Sequence, residues 1–135
     1  MTRPTRDRGS LMIITMLLLV ITLAGAALIV DGGRAMAARR HAANTAEAAA
    51  RFAVADQSLT TGFDPDLART IALSYVERSG VARSDVIVAI RADPAGRPEV
   101  VVTITERRRT VFLALGGRSD LTVRASGAAT FVYSA

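Results

Sequence analysis

Residues able to do acid–base or ligand chemistry are few in this chain, and they are scattered. His41 is the sole histidine, cysteine is absent, and all seventeen basic residues are arginine. A metal site built on imidazole or thiolate therefore lacks its second ligand. A phosphate loop lacks its lysine, and no serine lies in a nucleophile-elbow pattern. His41, set among arginines, reads as an exposed helical side chain rather than a base or ligand. Asp64 and Asp66 have the oxygens for calcium, but no loop downstream supplies the rest of the shell. Asp64 followed by Pro65 is better read as a helix cap. The inventory points to no catalytic, cofactor or metal set, and so to a protein that works by contact rather than turnover.

Two charged constellations remain. Asp31 and Arg34 stand three residues apart with Gly32 and Gly33 between them, a spacing that allows a local ion pair or an assembly contact with a neighbouring subunit. Arg107, Arg108 and Arg109 form the one charge run; it reads either as solvated surface or as a contact to anionic lipid or wall polymer.

The element that positions Asp31 is an uncharged apolar run, Leu11 to Val30. At 1.5 Å per residue twenty helical residues cover about 30 Å, the hydrocarbon thickness of a bilayer. Arg3, Arg6 and Arg8 before the run also suit a signal peptide, and Ala24-Gly25-Ala26 offers a cleavage site. The apolar pattern continues past that site to Val30, longer than such a peptide needs, which favours a retained anchor. A buried soluble helix would need more chain than remains to cover it. Three arginines on either side, Arg34, Arg39 and Arg40 being the second set, leave the positive-inside count tied. A short basic N-terminal tail inside and the larger part outside is the usual arrangement of a signal anchor.

After the run, Gly32-Gly33 predicts a bend, since each glycine in a helix costs about 1 kcal/mol relative to alanine. Ala35 to Gln57 then holds eleven alanines and neither glycine nor proline, which predicts a long helix. Ala35, Ala38, Ala42, Ala46, Ala49 and Ala53 share a face of it. The stripe suits a packing seam between subunits or a bed for the protein's own sheet; periodicity alone shows a buried face, not its partner.

A second helix is predicted from Asp64 through Leu67, Ile71 and Val76 to Gly80. Asp85 to Arg91 and Glu99 to Glu106, joined by the turn-forming Ala92 to Pro98, read as a β-hairpin with Val100, Val102 and Ile104 inward. Thr110 to Leu115 is ambiguous between helical turns and a buried strand. Leu121 to Tyr133 alternates as a strand, with Leu121, Val123, Ala125, Ala129, Phe131 and Tyr133 on one face. The expected architecture is α+β: a transmembrane helix (11–30) behind a basic cytoplasmic tail (1–10), continuing into an Ala-rich stalk (31–58). These pack on a small, mainly antiparallel sheet with a second helix (59–135).

Arg8-Gly9-Ser10 before the run, Val30-Asp31-Gly32-Gly33-Arg34 after it, and Asn44-Thr45-Ala46-Glu47-Ala48-Ala49-Ala50 beyond resemble, in that order, the TadE/TadG-like family over roughly residues 8 to 54. Phe112 to Gly117 followed by the last strand is similar to it more loosely. The resemblance implies a pilin-like, single-span accessory protein of Flp (tight-adherence) pilus assembly or secretion. Its partners would be membrane lipid and other pilus-assembly or pilin-like subunits, with no nucleic acid and no small-molecule substrate. Its domain would lie outside the cell membrane. In that family Gly9 corresponds to the processing glycine; where pseudopilin members carry a glutamate five residues later this chain has Ile14, which places it nearer the TadG side. The alternative function is an envelope-binding module that holds anionic surface components through Arg107 to Arg109.

Overall fold

The computed structural model describes residues 7–57 and 62–132. Arg3, Arg6 and Tyr133, and the expected junction at 58/59, lie outside the described residues. Helix α1 runs from Asp7 to Ala55, 49 residues or about 70 Å at helical rise. It crosses Gly32 and Gly33 without interruption of the helix. The propensity penalty of two glycines is small beside the tertiary contacts that hold the helix on both sides of them, Asp31 before and the buried alanines from Ala38 onward after.

Helix α2 is Pro65–Arg78. Asp64 caps it, its carboxylate accepting the N–H groups of Asp66 at 2.9 Å and Leu67 at 3.2 Å. At the other end Gly80 adopts φ +82°, Gly80 N donates to Glu77 O and Val81 N to Val76 O. This paired closure is the one that a left-handed glycine permits. The buried face is Ala68, Ala72 and Val76, while Leu67 points outward.

Three strands, β1 (Val86–Ala92), β2 (Pro98–Arg109) and β3 (Asp120–Thr130), form an antiparallel meander in the order β1-β2-β3. The hairpin between the first two turns on Asp93, whose carboxylate accepts Ala95 N and Arg97 N at 2.8 Å. Val100, Val102 and Ile104 face inward and are fully buried. Thr103 and Ser126 pair through their hydroxyls on the opposite, open face. Strand β3 keeps the expected alternation, but pairing ends at Thr130 and Phe131 follows as a buried residue tied to Pro98 O by its N–H.

Both helices cover one face of this sheet. Ala42, Ala46, Ala49, Ala50 and Ala53 of α1 share the core with Ala68, Ala72 and Val76 of α2 and with Val100, Val102 and Ile104 of β2. The alanine stripe is thus occupied by the protein's own sheet and second helix; only Ala35, nearest the apolar run, is not fully buried. Small residues are needed because backbones come close. At Gly127 of β3 a Cβ would stand 2.2 Å from the Glu47 backbone nitrogen, so strand and helix meet there with no room for a side chain. The C-terminal half of α1 is a layer of the domain. Gln57 secures its end by donating to Ala53 O at 3.0 Å and accepting Asp64 N at 2.8 Å.

Candidate functional site

The apolar run forms the exposed first half of α1; hydropathy and length make it the one helix among the described residues able to cross a membrane. Asp31, the first charged residue after it, is 3% exposed. Its carboxylate accepts three consecutive backbone N–H groups from the segment between β2 and β3: Val111 at 2.9 Å on Oδ1, and Phe112 at 3.0 Å and Leu113 at 2.8 Å on Oδ2. The ambiguous Thr110 to Leu115 segment resolves as a loop leading into one helical turn of 3-10 type, Leu113–Gly116, and not as a strand. An anionic acceptor facing a nest of successive amides is a strong arrangement, because each bond is charge-assisted. The carboxylate is committed to the loop, and the charge of exposed Arg34 still acts on it from three residues along the helix.

Nearly three turns further along α1, His41 reaches the end of β2. Its Nδ1 lies 2.9 Å from Glu106 Oε1, and Arg108 donates to Glu106 Oε2 from Nη2 at 2.8 Å and Nε at 3.1 Å. Burial pushes the Glu106 carboxyl upward, but the bonds from His41 and Arg108 outweigh that and hold it below the ordinary carboxylate value. His41 is thus not a free helical histidine; its ring fastens helix to strand, with Nδ1–H donating. Asp93, in the distal turn, is held below its ordinary value by the backbone and side-chain bonds from Arg97.

The arginine run forms the last three residues of β2. Arg108 joins Glu106 on the helix side, and Arg107 and Arg109, at the exposed end of the strand, each border a cleft that Arg108 and His41 also line. Arg107, Arg108 and Arg109 pair in register with Thr122, Leu121 and Asp120. Arg34, Ala37, Ala38, His41, Arg108 and Arg109 border an open cleft of about 490 Å³. With three guanidinium groups around it the cleft favours anions. Among the described residues no three His, Cys, Asp or Glu side chains gather as metal ligands.

The structure therefore brings together Asp31, Arg34, Arg108 and Arg109 at one end of the domain and leaves Gly9 on the exposed part of α1. Gly32 and Gly33 lie inside the helix with open space where a Cβ would stand. The loop amides of 111–113, His41, Glu106 and Gly127 were not evident as site residues. For Gly127 a signal existed, a glycine inside an alternating strand pattern.

Residues 9–56 match the family model described as "Putative Flp pilus-assembly TadE/G-like". The match coincides with α1 from just inside its start to one residue past its end. No curated protein and no solved structure matches the chain.

Proposed function

We propose that this chain is a single-span, pilin-like accessory protein of Flp pilus assembly. In this reading α1 is retained in the cell membrane, the N-terminal segment is cytoplasmic and the α+β domain lies outside. It acts through protein–protein contacts and helix packing in the membrane, not through turnover. The observation that carries the reading is the extent of the family match: it takes in the apolar half of α1 and the half that is built into the domain core. A segment matched as one unit across that junction is a helix serving both as anchor and as scaffold.

With the alanine stripe covered from within, surfaces left for a partner are the lipid-facing side of the apolar run and the outside of the domain. The decisive experiment is the intact mass of the protein from its native envelope and culture medium, joined to deletion of its gene. Full-length protein in the membrane, with surface pili lost on deletion and restored by the intact gene, supports the assembly role. Recovery only as a soluble form lacking residues 1 to 26, with pili unaffected, overturns it. That outcome favours the second reading, an envelope-binding module, for which the basic cleft of Arg34, Arg108 and Arg109 is the specific support.

A further inference from the structure

We infer that the 111–116 loop is a second membrane contact: an apolar tip that enters the headgroup layer of the bilayer α1 spans, fixing the domain against its surface. The inference rests on the reading of the apolar run as a retained span, and it adds an interaction surface that the run itself does not provide.

Height comes first. Asp31 directly follows the last apolar residue of the run, so its carboxylate marks the membrane–water boundary. Three hydrogen bonds of 2.8 to 3.0 Å hold Val111, Phe112 and Leu113 to it. The loop is therefore fixed at the boundary. Ala27, one helical turn toward the membrane on the Asp31 face, is the one residue of 9–30 that is partly buried, and α1 touches the 3-10 turn.

Composition and hydrogen bonding then suit an apolar surrounding. Between Thr110 and Arg118 the sequence is Val-Phe-Leu-Ala-Leu-Gly-Gly, with no charge. Leu115 is 88% exposed and Val111 49%, surface that a domain facing only water gains nothing by presenting. Backbone groups that leave water must be bonded internally, and here they largely are. Besides the three amides on Asp31, Leu115 N donates to Phe112 O, Gly117 N to Ala114 O, Arg118 N to Leu113 O and Thr110 N to Ser119 O. Arg34, Arg109 and Arg118 flank the loop, with Asp120 beside Arg109 in register; the balance is basic, as for a segment lying on anionic headgroups.

The chain has no tryptophan, so a single introduced one reports its own surroundings. Full-length protein is reconstituted into phosphatidylethanolamine–phosphatidylglycerol vesicles carrying brominated acyl chains, as Leu115→Trp, Val111→Trp, Leu19→Trp in mid-span and Ala95→Trp in the distal turn. Leu115→Trp and Val111→Trp are expected to emit at shorter wavelength than Ala95→Trp. They should lose most emission to lipids brominated near the headgroup, while Ala95→Trp is unaffected. Quenching of Leu19→Trp without quenching at 115 or 111 overturns the inference and leaves the span standing. Absence of quenching at 19 as well overturns both. A blue-shifted but unquenched Leu115→Trp means that a second copy of the chain, not lipid, covers the loop, and also overturns it.

Discussion

Gly127 and Glu47 meet backbone to backbone: a Cβ on Gly127 would lie 2.2 Å from Glu47 N and 2.4 Å from its Cα. This contact sets the spacing between α1 and β3 and explains why the facing helix surface is alanine. Gly127→Ala must push strand and helix apart through the middle of a core whose largest fully buried side chains are only Ile104, Val76, Val100 and Val102. Overpacking of a close-packed interior costs about 1–3 kcal/mol, and a backbone clash lies at the upper end. Chemical denaturation of the full-length protein in micelles should show that loss. Unchanged stability would mean that the helix–strand distance is not set here.

Near the end of the sheet, the clamp of His41 and Arg108 on Glu106 makes stability depend on pH. The folded carboxyl lies below its ordinary value, so its contribution is fully present above the unfolded glutamate value of about 4.3. That contribution is lost as pH falls through the lower folded value. Acid unfolding followed by circular dichroism should begin at higher pH once the clamp is weakened by His41→Ala. In Glu106→Gln the pH dependence over that acidic window should flatten. A Glu106→Gln curve parallel to the wild type would show that the clamp does not contribute.

Gly32 and Gly33 lie within unbroken helix with nothing near their missing Cβ positions, so alanine fits both. Gly32→Ala with Gly33→Ala should make the junction more helical by about 1 kcal/mol per site, seen as slower amide exchange over residues 30–36. If pilus assembly survives the double change, a rigid junction is sufficient for function. Loss of pili by a protein that is more stable would instead establish a working swivel at the glycines.

How much of this was legible depended on distance along the chain. The cap at Asp64, the stop at Gly80, the hairpin turn and the inward phase of Val100, Val102 and Ile104 are local patterns, and each lies where its pattern indicates. The alanine stripe showed a buried face without showing what buries it, because small residues suit a neighbouring subunit and an overlying strand equally. Asp31 was legible as a boundary and not as an acceptor. Arg34 is the partner that helical spacing offers, whereas the amides it holds are eighty residues away in an apolar segment whose periodicity fits two structures. His41 is exposed as its sequence neighbours indicate, but its partner was hidden for the same reason, lying 65 residues on.

The Asp31 carboxylate joins the two parts of the molecule, the exposed apolar half of α1 and the loop that closes the domain. Three backbone donors converge on it in charge-assisted bonds, and removing the acceptor leaves all three without a partner. The loop can recover part of that loss by opening to water, so the effect should be local. Asp31→Ala in lipid nanodiscs should greatly speed amide exchange at Val111, Phe112 and Leu113 while protection of Val100, Val102 and Ile104 is retained. Asp31→Asn should fall between, since its carbonyl oxygen can accept but its amide nitrogen confronts the remaining donors. Equal protection of the three amides in Asp31→Ala and wild type would show that the loop is held by its own 3-10 turn and not by the helix.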